Sequence, residues 1–386
     1  MKAQPWRIDL VMGARPNFMK VAPLYHELAR HPSKFRLRLV HTGQHYDALM
    51  SGIFLEELGL PAPQVHLGVG SGTQAEQTAR VLTSYEAALL AERPDWVVVV
   101  GDVNSTLACT LAAAKLAPPV RVAHVEAGLR SGDRTMPEEI NRLVTDSLAD
   151  LLLTPSPDAD ANLRREGVPA RKIQRVGNIM IDSLKRLLPS AARSDVRARL
   201  GLEEPYVLVT LHRPSNVDDA STLEGIVRAL ERLAERVPVV FPAHPRTQAR
   251  LRDSAVPRSR AGDRLRLLDP LGYVDFLRLQ RDAKLVLTDS GGVQEETTVL
   301  GVPCLTLRPN TERGITITRG TNRLVGSSPD AILRAAFSAL ERPPRRRPPI
   351  PLWDGRTARR IASVFERLWR SASARSRRGA RPARGR

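Results

Sequence analysis

The chain is poor in cysteine and contains no long apolar segment. Its two cysteines, Cys109 and Cys304, lie far apart in apolar segments and have no CxxC spacing, so we expect reduced residues of the core. No apolar run approaches the roughly 18 to 20 residues of a membrane-spanning helix; the longest, WVVVV after Asp95, is typical of a buried strand. The N-terminal sequence MKAQPWRIDLVMG has no hydrophobic region before a cleavage site, which predicts a cytoplasmic protein.

Several catalytic signatures are also missing. There is no GxxxxGK[ST], which argues against a P-loop ATPase, and the turn MGARPNFMK lacks the GxGxxG of a dinucleotide site. HExxH is absent, and the H-x-E formed by His124 and Glu126 lacks the PCxxC of zinc deaminases. We therefore expect no cofactor and no catalytic metal.

Aromatic residues are few, at 4%, although the net charge is +18. Much of the positive charge lies in the segments RPPRRRPPIP and RSASARSRRGARPARGR, where no aromatic residue stands between the arginines to stack on bases. Such segments cannot bury a core and are typical of solvated, disordered chain. We expect neither a membrane nor a nucleic acid as a partner.

What the chain does have is a regular alternation of strand and helix signals. Short apolar runs such as RIDLVMG, DWVVVVGD and DLLLTPS alternate with longer amphipathic stretches, and the pattern starts again with PYVLVTLH and AKLVLTDSGG. This predicts an α/β protein with two Rossmann-like domains, each a parallel sheet with crossover helices. The boundaries predicted are 1–174 for the N-terminal domain, 175–355 for the C-terminal domain, 356–370 for a helix returning to the N-terminal domain, and 371–386 for a disordered basic tail.

In open parallel sheets, ligands bind beyond the carboxyl ends of the strands, so the polar residues that follow each strand are the candidate site. These residues are Arg15, Gln44, His45, Asp102, Glu126, His212, His244, Asp269, Ser290, Gly291 and Gly292. If the two sheets face each other across a cleft, all of these residues line it.

Two strand ends have the composition of anion sites. Arg15 and Lys20 come at and just after the first turn of a predicted helix, which suits an anion, although a surface Arg and Lys would look the same. In LVLTDSGGVQEET, two glycines open a helix at the end of a strand, where backbone amides and the helix dipole favour a diphosphate. Glu295 fits an ordinary first-turn residue there, whereas Glu296 is placed to reach ribose hydroxyls.

The segment HVEAGLRSGDRTMPEEINR gathers carboxylates and arginines directly after a buried strand. Together with the other motifs it resembles the non-hydrolysing UDP-N-acetylglucosamine 2-epimerases over nearly the whole chain. The motifs that carry the resemblance occur in the family's order and spacing: GARP with Lys20, QH, GDVNST, HVEAGLR, PEEINR, HR, TDSGGVQEE, TER and WDGRTARRI. The resemblance implies the glycosyltransferase-B architecture of two Rossmann-like domains and, as the family's usual form, a homodimer.

The resemblance also implies roles for individual residues. On the UDP side it assigns Ser290, Gly291 and Gly292 to the phosphates, Glu296 to the ribose, and Pro270, Tyr273 and Phe276 to the uracil. It assigns to the balancing of the diphosphate charge the residues Arg15, Lys20, His212 and Arg313. We count His212 as catalytic. His244 is a further candidate for substrate binding. On the sugar side it assigns the carboxylates Asp102, Glu126 and Glu138, with Arg142 as a sugar-site or salt-bridge arginine. Arg130, Asp133 and Arg134 are interpreted as loop-ordering or solvated residues.

This reaction would account for the carboxylate cluster. The C2 proton of the sugar lies next to no carbonyl, so without an oxidising cofactor the workable route is elimination of UDP to 2-acetamidoglucal followed by re-addition. We expect Asp102 and Glu126 to transfer the protons and Glu138 to support them. The alternatives are a glycosyltransferase of the same fold, an epimerase of a diacetamido-uronic acid nucleotide, and a non-catalytic binder of nucleotide sugar or nucleic acid driven by the basic tail.

Two positions depart from the family's pattern. Asn17 stands where a glutamate is common at the first helix, and Pro214 stands where an arginine often follows HR. The region after VHLGVGSG lacks the basic residue expected for a second, activating substrate molecule, which puts such activation in doubt.

Overall fold

The structure, a computed structural model, describes residues 4–44, 55–243, 245–253, 264–341 and 348–379. It divides into two compact units. Unit 1 is Met1–Ser183 with Pro351–Arg386, and unit 2 is Leu184–Ile350. The sequence analysis had placed the first boundary at 174/175 and the second at 355/356.

Unit 1 is built on a parallel sheet of seven strands. The strands are β1 (Trp6–Met12), β2 (Phe35–His41), β3 (Val65–His66), β4 (Trp96–Val100), β5 (Arg121–Val125), β6 (Leu151–Thr154) and β7 (Ile173–Arg175), in the order β3-β2-β1-β4-β5-β6-β7. The helices are α1 (Arg15–Ala29), α2 (Gln74–Ala91), α3 (Asn104–Lys115), α4 (Pro137–Leu148), α5 (Pro157–Arg165) and the start of α6 (Ile179–Arg193), with a 3-10 turn at Ala170–Lys172. Strand order reverses beside β1, because its neighbours are β2 and β4.

Unit 2 repeats this design with six strands. They are β8 (Val207–Thr210), β9 (Val239–Pro242), β10 (Leu265–Leu268), β11 (Leu285–Thr288), β12 (Cys304–Thr306) and β13 (Asn322–Leu324), in the order β10-β9-β8-β11-β12-β13. The helices are the rest of α6, α7 (Val196–Arg199), α8 (Pro214–Val217), α9 (Ala220–Ala234), α10 (Pro245–Asp253), α11 (Tyr273–Asp282), α12 (Gly291–Leu300), α13 (Gly314–Thr318) and α14 (Pro329–Glu341). Here the order reverses beside β8, which pairs in parallel with both β9 and β11.

The central strands, such as β4 and β11, are buried on both faces, as expected when helices cover a parallel sheet on both sides. In unit 2, Val207 and Val209 join a core with the helices α9 and α14, whereas Leu208 and Val286 join a second core with Val293 of α12. The period of two along the strands therefore builds two apolar layers. Cys109 and Cys304 are buried free thiols, which confirms the interpretation of both as core residues, and burial raises the pKa of each.

The last helix, α15 (Thr357–Gly379), packs in unit 1. The ring of Phe365 lies 5.4 Å from that of Trp96, and Nε1 of Trp369 donates to the carbonyl of Gln4 at 3.1 Å. The prediction of disorder from residue 371 onward is wrong for residues 371–379, which continue this helix. Alanine and arginine are strong helix formers, so this segment extends a helix whose preceding turns are held by buried residues. Among the described residues no helix is long and apolar enough to cross a membrane.

Asp182 of α6 caps the start of α15. Its two carboxylate oxygens accept the amides of Thr357 at 3.0 Å and Ala358 at 2.8 Å. Asp182→Ala should remove both acceptors and lower the free energy of unfolding of unit 1 by about 1–2 kcal/mol. All four tryptophans, Trp6, Trp96, Trp353 and Trp369, belong to unit 1, so urea unfolding followed by tryptophan fluorescence measures this unit.

The matched control is Asp219→Ala in unit 2. Asp219 is the N-cap of α9, where its side chain accepts the amide of Thr222 at 2.7 Å. Asp219→Ala should leave the urea-unfolding transition followed by tryptophan fluorescence at the same urea concentration as in the wild-type protein. An Asp182→Ala transition that coincides with that of the control would contradict the capping role.

Candidate active site

The turn after β1 is held by Asn17. Its side-chain oxygen accepts the amides of Gly13 at 3.1 Å and Ala14 at 3.0 Å, and its amide nitrogen donates to the carbonyl of Val100 at 3.2 Å. The residue that departs from the family's pattern thus ties the end of β1 to the end of β4, at the point where strand order reverses. Arg15 is the first residue of α1, but its side chain lies outside the described part of the structure.

Lys20 and Glu126 form a buried ion pair beside this turn. Lys20, on α1, is 6% exposed and Glu126, directly after β5, is 3% exposed. Glu126 has a φ of 70°, a left-handed backbone conformation that is uncommon for a residue with a side chain and often marks a functional site. A Cβ added at Gly101 would lie 2.7 Å from the Lys20 ammonium nitrogen, so a larger residue there would displace the lysine end of the pair.

Asp102, the residue after Gly101, pairs with Arg142 of α4. Arg142 also donates to the Glu139 carboxylate at 2.6 and 2.9 Å, and Glu139 accepts the amides of Ser131 and Gly132 at 3.0 Å each. Burial alone would raise the pKa of Glu139, but the Ser131 amide and the Arg142 guanidinium outweigh it, so the pKa lies below its ordinary value. Arg142 is therefore held between two carboxylates.

Glu138 adjoins this cluster in the first turn of α4 and is partly buried. Glu138 is the residue predicted for the sugar side, whereas the contact with Arg142 described above is made by Glu139. Both glutamates precede Arg142 by a spacing that brings side chains together on a helix, three residues for one and four for the other. The helical spacing to Arg142 therefore points to both glutamates and does not distinguish between them.

In unit 2, Asp289 organises the ends of β8 and β11. Its buried carboxylate accepts the amides of His212 at 3.1 Å and Arg213 at 2.9 Å and the side-chain amide of Asn216 at 3.0 Å, while Nδ1 of His212 lies 3.1 Å away. Burial acts to raise the pKa of Asp289, but the His212 ring and these amides lower it below its ordinary value. His212 is thereby fixed at its backbone while its side chain stays 47% exposed. The sequence analysis missed Asp289, although it directly follows a strand.

Ser290 is the N-cap of α12, and Gly291 and Gly292 are its first two residues. A Cβ at Gly291 would lie 2.6 Å from a carboxylate oxygen of Glu312, so the backbone approaches the Glu312–Arg313 segment closely. Nε of Arg313 lies 2.8 Å from the carboxylate of Glu295, and both side chains are buried. Glu295, which the sequence analysis interpreted as an ordinary first-turn residue, therefore holds Arg313 near the start of α12.

Glu296, the next residue of α12, accepts a hydrogen bond from the hydroxyl of Tyr273 at 2.6 Å. Burial raises the pKa of Glu296 to about 7, and the Tyr273 bond offsets only part of that effect. Pro270 is exposed after β10, and Phe276 of α11 is partly buried against the core around Leu208.

The predicted site residues fall into one group in each unit. Unit 1 holds Arg15, Lys20, Asp102, Glu126, Glu138 and Arg142, and unit 2 holds His212, Pro270, Tyr273, Phe276, Ser290, Gly291, Gly292, Glu296 and Arg313. His244 and His45 lie outside the described residues. The part of the chain that the structure describes contains no group of three or more His, Cys, Asp or Glu side chains that could hold a metal ion.

Comparison with known proteins matches the chain to one family model and to 2-epimerases that act on two different nucleotide sugars. A family model described as UDP-N-acetylglucosamine 2-epimerase matches residues 26–366. The UDP-N-acetylglucosamine 2-epimerase of Methanocaldococcus jannaschii is 41% identical over 93% of this chain and 98% of its own length. The UDP-2,3-diacetamido-2,3-dideoxy-D-glucuronate 2-epimerase of Pseudomonas aeruginosa is 42% identical over 86% of this chain and 92% of its own.

The solved structures agree on the fold. A crystal structure of the M. jannaschii enzyme in complex with UDP-GlcNAc and UDP superposes with a TM-score of 0.86, covering 94% of this chain and 99% of that one. The predicted fold class, two Rossmann-like domains of the glycosyltransferase-B architecture, is thereby confirmed.

Proposed function

Because this chain belongs to the UDP-N-acetylglucosamine 2-epimerase family, we propose that it interconverts UDP-N-acetylglucosamine and UDP-N-acetylmannosamine by inverting C2 of the sugar. The observation that carries the proposal is a pair of carboxylates at the ends of adjacent strands, each held by a buried cation: Asp102 by Arg142 after β4, and Glu126 by Lys20 after β5. A transferase that moves the sugar to an acceptor needs no such set beside C2.

The reaction proceeds by elimination. The C1–O bond breaks and its electron pair leaves with UDP, while a carboxylate takes the C2 proton and the C2–H electrons form the C1–C2 double bond of 2-acetamidoglucal. A proton is then returned to the opposite face of C2 and UDP adds back at C1. Asp102 and Glu126 are the proton-transfer groups of this proposal and Glu138 supports them; a positioned carboxylate contributes roughly 10²–10⁴-fold to such a step.

UDP is held by unit 2 in this proposal. The amides that open α12 at Ser290, Gly291 and Gly292 bind the diphosphate, and Arg313, oriented by Glu295, and His212, fixed by Asp289, balance its charge as it leaves. Glu296 binds the ribose, and Pro270, Tyr273 and Phe276 surround the uracil. Arg15 and His244 complete the substrate contacts. Lys20, assigned by resemblance to the diphosphate, contacts Glu126, so we place its charge at the proton-transfer carboxylate.

The relative from P. aeruginosa supports a second candidate substrate. That enzyme is named for a diacetamido-uronic acid nucleotide, and its identity to this chain, 42%, is close to the 41% of the M. jannaschii enzyme. The chemistry at C2 would be the same. We also propose a cytoplasmic homodimer acting in the supply of precursors for cell-surface polysaccharide; light scattering on the purified protein measures the dimer directly.

The deciding experiment is proton NMR of UDP-GlcNAc incubated with the protein in D2O, without added nicotinamide cofactor or metal. Loss of the C2 proton signal together with formation of UDP-ManNAc is the expected result. Free ManNAc and UDP would instead indicate a hydrolysing enzyme. Absence of exchange would reject UDP-GlcNAc, and exchange in the diacetamido-uronic nucleotide would then establish the second candidate.

The affinity for UDP should depend on pH through Glu296. An ionised carboxylate accepts ribose hydroxyls with both oxygens, whereas protonation turns one oxygen into an O–H donor and removes the charge; with a pKa of about 7, Glu296 becomes protonated as the pH falls below 7. The affinity measured by calorimetry should therefore fall about tenfold from pH 8 to pH 6. Glu296→Gln should bind UDP more weakly at pH 8 and should lose the pH dependence that Glu296 causes. The remaining pH dependence should be that of the UDP phosphate, which titrates near pH 6. A tenfold pH effect that persists in Glu296→Gln would contradict the assignment.

A further inference from the structure

His124 is a fully buried histidine whose two ring nitrogens both face acceptors. On β5 its Nδ1 lies 2.6 Å from a carboxylate oxygen of Asp146, and its Nε2 lies 2.8 Å from the carbonyl oxygen of Gly101. A neutral imidazole has one N–H donor and one nitrogen lone pair. In either tautomer of the neutral ring, that lone pair would point at an oxygen lone pair within hydrogen-bond distance, with no water able to intervene at 0% exposure. The geometry is satisfied only when both nitrogens carry protons.

The surrounding charges accommodate a positive ring. The other carboxylate oxygen of Asp146 accepts from Arg130 at 2.7 Å and from the amide of Gly128 at 3.0 Å. Arg130 in turn makes two hydrogen bonds, at 2.8 and 2.7 Å, with Glu166. Two carboxylates, one guanidinium and one imidazolium sum to zero along this chain of contacts, which reaches the surface at Glu166, where 36% of the side chain is exposed.

The same ring connects both proposed proton-transfer carboxylates. Glu126 is two residues beyond His124 on the same chain segment, and Asp102 is the residue after Gly101. Gly101 is held at both ends, since its amide donates to the carbonyl of Val125 at 3.1 Å and its carbonyl accepts from His124. Gly101 has a φ of 69° and Glu126 one of 70°, so both turns are left-handed and depend on such restraints.

We infer that His124 is a doubly protonated positioning residue, whose imidazolium, balanced by Asp146, fixes the turn that presents Asp102 in register with Glu126. This inference rests on the proposed function for its consequence in catalysis, but the charge of the ring follows from the contacts alone. His124 does not touch the reacting atoms; it acts through Gly101 and through its own strand.

Nitrogen-15 NMR of protein labelled at histidine tests the charge directly. Both ring nitrogens of His124, assigned by the signal missing in His124→Gln, should carry protons in the native protein. Asp146→Asn removes the balancing charge, so one of the two ring protons should be lost in that variant. A wild-type ring with one bare nitrogen at pH 7 would overturn the inference, whether or not the protein epimerises UDP-GlcNAc.

Turnover tests the positioning role. A glutamine at 124 can donate to only one of the two acceptors and presents an oxygen to the other, so His124→Gln should lower kcat for C2 exchange about 100-fold through misplacement of Asp102. The Kd for UDP should stay within about twofold, because the proposed UDP contacts near α12 belong to unit 2. Equal losses in kcat and UDP affinity, or unchanged kcat, would overturn the role. If His124→Gln fails to fold, Asp146→Asn carries the same kinetic test.

His31→Gln is the matched control. His31 also faces a carboxylate, that of Glu366 at 3.2 Å, but at the partly exposed surface between α1 and α15. His31→Gln should leave the kcat for C2 exchange unchanged. A wild-type protein without C2 exchange would contradict the proposed function alone, because the NMR result on the ring would still stand or fall by itself.

Discussion

Glu126→Gln should slow exchange of the C2 hydrogen of UDP-GlcNAc by two to four orders of magnitude. Glutamine has the shape of glutamate and can occupy the same left-handed position, where φ is 70°, but it cannot take up a proton. The expected loss is the contribution of a positioned acid or base to proton transfer. Asp102→Asn should have an effect of similar size, because elimination and re-addition need a proton acceptor on one face of C2 and a donor on the other. Exchange measured by NMR in D2O gives both rates.

The control for this pair is Asp133→Asn in the same segment. Asp133 orders its own loop by accepting from the hydroxyl and amide of Thr135, at 2.6 and 3.0 Å. Asp133→Asn should change the exchange rate by less than about threefold, since its hydrogen bonds with Thr135 lie within its own loop and such substitutions usually change free energies by about 0.5 kcal/mol or less. The Kd for UDP should be the same in all three variants. Near-normal turnover in both Glu126→Gln and Asp102→Asn would reject the assignment of the proton-transfer pair.

The fold and the strand-end positions of the site could be predicted because both follow from local pattern. Buried runs such as WVVVV and polar residues directly after them are visible in the sequence, and the geometry of parallel sheets brings those residues to one edge. The choice between Glu138 and Glu139 could not be made, since it depends on the rotation of α4 about its axis. Asp289 and Asp146 were missed because their partners, His212 and His124, are distant in sequence.

The contact between Lys20 and Glu126 could not be predicted from the sequence for a different reason. A lysine early in a helix beside a glycine turn has the composition of a phosphate site, and the sequence contains nothing that pairs it with a carboxylate 106 residues later. Burial favours the carboxylate contact, because an ammonium at 6% exposure must have an anionic partner at hand. The end of α15 was misjudged for a simpler reason: arginine content was taken as a signal of disorder, although arginine also favours helix.

Lys20→Met should cost about 3–5 kcal/mol in the free energy of unfolding of unit 1, the largest stability effect that we predict. The ion pair is enclosed, with 7% of the Lys20 side chain and 1% of the Glu126 side chain exposed. Methionine fills the volume of the lysine stem but removes the ammonium from the Glu126 carboxylate, and breaking a buried ion pair by removing one partner is strongly destabilising. Urea unfolding followed by tryptophan fluorescence reports on unit 1 alone, since all four tryptophans lie there.

The double variant Lys20→Met/Glu126→Gln separates the charge from the packing. If the loss in Lys20→Met comes from removing the ammonium beside the buried Glu126 carboxylate, then neutralising that carboxylate should restore about 2 kcal/mol or more, although a second residue has been changed. Glu126→Gln alone strands the ammonium in the same way and should also be destabilised, so the coupling energy of the cycle should be large. Additive losses would mean that the pair does not interact in solution. That result would also remove the support for Lys20 as the residue that neutralises the proton-transfer carboxylate, and would return Lys20 to the diphosphate.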